Sequence, residues 1–165
     1  MTLNASSELW GQLIGEFASG DAPRQHWNAL FTEGVNRVGL VREALGRPGG
    51  NHRAAAVALI QQMSGEEQKQ LFPELMQLAR AAHGPVAAVR KIITDLPREW
   101  VLPRIDAEVE TILHDQQYDD YWMLLELLDE LDHSRAAKLA RRAAANADPD
   151  IRELGTERLS SIEQE

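Results

Sequence analysis

The chain has 165 residues, 44% of them apolar and 26% charged, with a formal net charge of −9 and no cysteine. That length suffices for one domain with a real core, and the missing cysteine excludes a disulfide framework, a thiol nucleophile and a cysteine zinc site. The acidic balance argues against binding a nucleic-acid backbone, which needs clustered Lys and Arg, and no window holds the roughly 18 unbroken apolar residues of a membrane span.

Residues 1–8 have neither a basic region nor an apolar signal core. The simplest reading is a soluble cytoplasmic protein. Apolar–polar alternation is scarce and helix-period patterns dominate. A first helix is expected after Asn4, Ser6 or Ser7, where Leu9, Trp10, Leu13, Ile14 and Phe17 recur at three- and four-residue steps. Asp21 can cap the next helix, with Pro23 in its first turn and Trp27, Leu30 and Phe31 facing inward. Gly34 and Gly39 predict a break near one of them. Val38, Val41 and Leu45 continue to a Gly-Arg-Pro-Gly-Gly loop over 46–50. Eight of the eleven glycines lie in the first fifty residues, so residues 1–50 are expected to form an irregular N-terminal helical cap.

From Asn51 the pattern becomes regular. Asn51 is placed as the cap of a helix ending at Met63, and Ser64 with Glu67 makes a capping box. Leu71, Leu75, Leu78 and Ala79 form the next stripe, with Pro73 bending or restarting the helix. His83-Gly84-Pro85 is a stop followed by a start. Val86, Val89, Ile92 and Ile93 lead to Asp95-Leu96-Pro97. Trp100, Val101, Ile105, Val109, Ile112 and Leu113 follow, with Pro103 near their start. Asp119 or Asp120 is expected to cap a Leu-rich helix over 122–131, and Asp132 or Ser134 a basic, alanine-rich one. Asp148-Pro149 opens the last helix, with Ile151, Leu154, Leu159 and Ile162 inward. Starts near Asn51, Pro85 and Asp119 recur every 34 residues, a spacing typical of stacked helix pairs.

The start Asp148-Pro149-Asp150-Ile151-Arg152, followed by Gly155 and Leu159, resembles the helix start of HEAT-type repeats. Asn51-His52-Arg53 with Ala56, Leu59 and Ile60 is a looser version. The starts at Pro85 and Asp119 lack the Arg. The resemblance covers roughly 51–163. It implies an all-α, short right-handed α-solenoid of antiparallel helix pairs over 51–165, following the cap, in a single helical domain used for binding proteins. In such repeats the Arg caps or packs between neighbours. Fold alone does not assign function.

Charge is unevenly spread. Residues 98–131 hold two bases against ten acids, a net −8 of the chain's −9. An acidic block is a solvated surface or a dock for a basic partner; packed beside the basic helix bearing Arg135, Lys138, Arg141 and Arg142, it can also be neutralised internally. Aromatics mixed with acids at a helix start suggest a recognition patch, since Tyr and Trp are enriched at binding hot spots. The expected partner-binding set is Glu108, Asp115, Tyr118, Asp119, Asp120, Tyr121, Trp122 and Glu126. The alternative chemical reading is a metal or small-molecule site at Glu126, Asp129, Glu130 and His133. It has one Glu-x-x-His where a di-metal carboxylate site needs two. No His-Glu-x-x-His, calcium loop or phosphate loop is present, and the five histidines fall near helix ends or on polar faces. No cofactor or catalytic residue is assigned. The expected function is a non-catalytic protein–protein interaction module, of which an inhibitor or immunity-type protein is one version. A structural, oligomerising subunit is the remaining alternative.

Overall fold

A computed structural model of the protein describes residues 8, 10–12, 14–15, 30–31, 35–47, 50–80 and 84–162. Every regular element among them is helical and none is a strand, as the helix-period pattern and the abundance of Ala, Leu, Glu and Arg favour. No helix among the described residues is long and apolar enough to cross a membrane. The chain divides into two compact units, Met1–Leu71 and Phe72–Glu165.

In the first unit the helices are α1 (Arg37–Leu45), α2 (Gly50–Gln62) and α3 (Gly65–Gln70). The caps expected at Asn4, Ser6, Ser7 and Asp21, and the inward Trp27, lie outside the described residues. Trp10 is helical and buried, and its Nε1 donates to His52 Nδ1 at 3.4 Å. Asn36 caps α1: its side chain accepts the Gly39 N–H at 2.9 Å. The break expected near Gly34 or Gly39 thus lies just before Arg37, with Gly39 inside the helix. A Cβ on Gly39 would stand 2.7 Å from the Asn36 side-chain nitrogen, so glycine leaves the cap room to close. Asn51 is not a cap, because α2 already includes Gly50. Val38, Val41, Ala55, Ala56, Leu59 and Ile60 are buried and form the apolar interior of this unit.

The Ser64 capping box is complete: Glu67 Oε2 accepts the Ser64 N–H at 3.0 Å, and Ser64 Oγ accepts the Glu67 N–H. The same carboxylate ties α3 to α1, since Arg37 Nε donates to Glu67 Oε1 at 2.8 Å. Burial pushes the Glu67 carboxyl up, but the Ser64 hydrogen bonds and the Arg37 guanidinium outweigh it and hold the group below its ordinary 4.5.

The second unit contains α4 (Phe72–Ala79), α5 (Val86–Asp95), α6 (Arg98–Ile112, continued by a 3-10 turn at Leu113–Asp115), α7 (Tyr118–Leu131), α8 (His133–Ala144) and α9 (Pro149–Ile162). Proline marks most starts. Pro73 is the second residue of α4, Pro85 and Pro97 precede α5 and α6, and Pro149 opens α9, where a missing N–H costs nothing. Gly84 takes φ +107 before Pro85. Pro103 sits within α6 and removes the donor that Glu99 C=O would otherwise receive. Phe72 and Trp100 meet edge to face at 5.4 Å. Asp132 caps α8, its side chain accepting the Arg135 N–H at 2.9 Å. Asp119 and Asp120 do not cap α7. Left-handed Gln116 (φ 48) and extended Gln117 start the helix at Tyr118, with Gln117 in the cap position, leaving both aspartates in the first turn where they complement the helix dipole.

The interior of this unit is formed by Val101, Ile105, Val109 and Ile112 of α6, Leu124, Leu127 and Leu128 of α7, Leu139 of α8 and Ile151 and Leu154 of α9. Consecutive helices pack together: α4 on α5, α7 on α8 and α8 on α9. The last crossing is the closest. A Cβ on Gly155 would lie 2.2 Å from Ala144 N and 2.7 Å from Ala140 O, distances only bare glycine permits.

Two predictions follow from these contacts. Gly155→Ala should lower unfolding stability in urea by about 1–3 kcal/mol through overpacking against backbone; Gly155→Leu should cost more, and an unchanged midpoint would contradict the crossing. Acid should destabilise both units. Glu67 and Asp132 are held below their ordinary 4.5 and 3.8, Asp132 first by the Arg135 N–H, against burial, and then by Arg98 and Arg135. The stability they contribute is therefore complete above those values and is lost as pH falls through the lower folded-state values. Glu67→Gln and Asp132→Asn should each flatten the acid limb of a stability–pH curve.

Candidate functional site

α7 presents the distinctive surface. Tyr118 and Trp122 are 43% and 45% exposed and are the exposed large hydrophobic side chains among the described residues. They are one turn apart, so they share a face of the helix. Asp119 beside them is exposed, as is Asp115 in the preceding turn; Glu126, one turn on from Trp122, is half-buried.

Two residues expected on that surface are not there. Asp120 is 3% exposed and Tyr121 is 1% exposed. At about 100° per residue Asp120 projects to the side of the helix opposite Tyr118 and Trp122; Tyr121 lies only about 60° round from Tyr118 and is buried all the same. Arg80 Nε donates to Asp120 Oδ1 at 2.9 Å, while Asp120 Oδ2 is buried without a hydrogen-bond partner. The Tyr121 hydroxyl accepts from Asn146 Nδ2 at 3.4 Å. Asp120 and Tyr121 are thus held within the unit rather than on its exposed surface. Glu108 is half-buried on α6, apart from the aromatic turn in the chain.

The start of α9 is held by its own turn. Asp148 Oδ1 accepts the N–H groups of Asp150 (2.9 Å) and Ile151 (3.4 Å). Arg152 donates to the carbonyls of Asn146 (2.9 Å) and Ala147 (3.2 Å), so this arginine closes the turn that precedes it. Asn146 also donates to Gln116 Oε1 at 3.1 Å. Through Asn146 the start of α9 is tied to the residues that launch α7. A groove of about 400 Å³ results, lined by Tyr118, Asp150, Glu153, Leu154 and Glu157. The three carboxylates on α9 were not singled out from the sequence. Their signal is the three- and four-residue spacing of 150, 153 and 157, which places them on one helical face, but nothing local reveals that Tyr118 stands opposite.

Much of the acidic segment is neutralised by neighbouring helices. Arg135 pairs with Asp106 at 3.1 Å and Arg142 with Glu110 at 2.6 Å. A second cavity of about 230 Å³, beside α6 and α8, is walled by both of these pairs. On the other side, Arg90 donates to Met123 O at 3.3 Å and stands 3.8 Å from Glu126. Arg158 pairs with Glu126 directly and lies 3.9 Å from Asp129. The Glu110 hydrogen bond lifts Arg142 above the ordinary arginine value. Burial lowers that of Arg90, with Glu130 pulling it back.

Three of the four residues of the metal-like set are engaged with other groups, and Glu130 is exposed. Glu126 and Asp129 face Arg158, and His133 Nδ1 is 3.1 Å from Asp129 Oδ1. No trio of His, Asp or Glu is gathered for a metal ion among the described residues. Asp119, Asp150, Glu153 and Glu157 make no ion pair among the described residues.

Comparison with protein-family models, curated proteins and solved structures finds no match to this chain.

The unequal roles of these carboxylates can be measured. Glu126→Gln leaves Arg90 and Arg158 facing a neutral group and should lower stability by about 1–3 kcal/mol. Exposed Asp119→Asn should stay within about 0.5 kcal/mol of the parent. Equal effects in a urea titration would refute the distinction.

Proposed function

We propose that the chain is a non-catalytic, cytoplasmic protein-interaction module that docks a basic partner through the exposed face of α7, with Tyr118 and Trp122 as anchors. The observation that carries this reading is the exposure of those two aromatics one turn apart, beside exposed Asp119, which makes no ion pair among the described residues. Solvated aromatic pairs gain most when a partner covers them, and unpaired acids favour a partner of opposite charge. An inhibitor or immunity-type protein that neutralises a basic target is the concrete version.

We further read the helices as a short right-handed HEAT-like stack of antiparallel pairs. Two features support it. The Asp148-Pro149 start matches the repeat pattern, and side chains in the second unit reach across at separations of 29 to 40 residues. A recurrent offset of that size is what stacked helix pairs produce.

Quantitative capture from native lysate tests the docking face. The Tyr118→Ala/Trp122→Ala double variant should lose a salt-sensitive partner by about tenfold or more, as expected for hot-spot anchors. Lys138→Glu on α8 should retain it. Equal capture by the double variant and the parent would rule this face out.

A further inference from the structure

Resting on that interaction reading, we infer that the groove between Tyr118 and α9 receives the guanidinium group of an arginine carried by a partner protein. The inference comes from an interrupted pattern. Elsewhere in the second unit, an arginine of the chain bridges helices two apart: Arg90 reaches from α5 to Glu126, Arg135 and Arg142 from α8 to Asp106 and Glu110, and Arg158 from α9 to Glu126 and Asp129. Toward the start of α9, Asp150, Glu153 and Glu157 make no ion pair among the described residues, and the arginine beside them, Arg152, turns back to the Asn146 and Ala147 carbonyls. Asp150, Glu153 and Glu157 face an open volume of about 400 Å³ with Tyr118 as an aromatic wall.

The chemistry of that opening favours arginine over lysine. A planar guanidinium stacks on an aromatic face while its N–H fork reaches carboxylates; a lysine ammonium is a compact, strongly hydrated charge without that geometry. The chain contains the same pairing, with Arg104 centred 4.3 Å above the Trp100 ring. Three carboxylates outweigh the positive end of the α9 dipole, equivalent to about half a charge. Leu154 supplies an apolar floor for the arginine stem, and Trp122, one turn along α7, is free to cover a residue flanking the arginine.

The test is an NMR titration of the full chain with two capped tripeptides, acetyl-Gly-Arg-Gly-amide and acetyl-Gly-Lys-Gly-amide, at matched ionic strength. The arginine peptide should give saturable amide shifts centred on Tyr118, Glu153 and Glu157, and should bind about threefold or more tighter than the lysine peptide. Glu153→Gln/Glu157→Gln should weaken it by about five- to tenfold, and Tyr118→Leu should erase the preference for arginine. Equal binding of the two peptides, shifts centred on another surface, or an unaltered double variant would overturn the assignment. If the peptide fails while Tyr118→Ala/Trp122→Ala still abolishes partner capture, only the arginine assignment falls. If capture is also indifferent to that double variant, the interaction reading falls with it.

Discussion

Gly155 lets the backbone of α9 come against that of α8, where Ala140, Ala143 and Ala144 offer no bulk to hold it off. In that crossing the peptide groups of two helices are within contact distance, and packing density of this kind leaves little freedom for sliding. α7 packs on α8 as well, and α8 presents buried Ala136, Ala137, Ala140 and Ala143. The small side chains of α8 thereby bring the helices on either side of it near enough to frame a groove. Asn146 fixes the register of that frame, because one side chain serves Gln116, Tyr121 and the turn before α9. The site is a product of spacing before it is a product of charge.

Charge then divides the surface. A segment holding −8 of the chain's net −9 can be a solvated ridge, a dock or a face neutralised internally, and the structure separates its members. Asp106, Glu110 and Glu126 face arginines from neighbouring helices, and Asp120 is buried against Arg80. Asp119 stays in solvent beside Tyr118. Formal charge summed along the sequence therefore overstates the acidity of α6 and α7 and omits the carboxylates contributed by α9.

Features decided by residues near one another in the chain were legible in advance. The Ser64–Glu67 box, the Asp132 cap and the Asp148-Pro149 start each depend on atoms within a few residues, and the prolines at helix starts depend only on a missing N–H. The helical class followed from periodicity. What was not legible depends on which helix stands opposite. Asp120 and Tyr121 look like their neighbours Tyr118 and Asp119 in the sequence, and only the residues that meet them from elsewhere in the unit, Arg80 and Asn146, mark them as buried. The groove joins Tyr118 to residues more than thirty positions away, and no local pattern announces such a partner. The cap expected at Asp119 or Asp120 failed for a related reason: a left-handed Gln116 redirects the chain before the aspartates are reached.

The placement of the unpaired carboxylates has a kinetic meaning. Asp119 and Asp150, Glu153 and Glu157 belong to α7 and α9, so their field is strongest where the aromatic wall lies. Within a Debye length of about 8–10 Å, a cation drifting past would be drawn toward that mouth before any contact forms, which raises the frequency of productive encounters. For a bound partner, the length of stay would be governed by the aromatic surface it covered, because short-range packing resists departure and salt hardly touches it. Speed of arrival and length of stay would thus reside in different side chains of one small surface, each open to adjustment without the other.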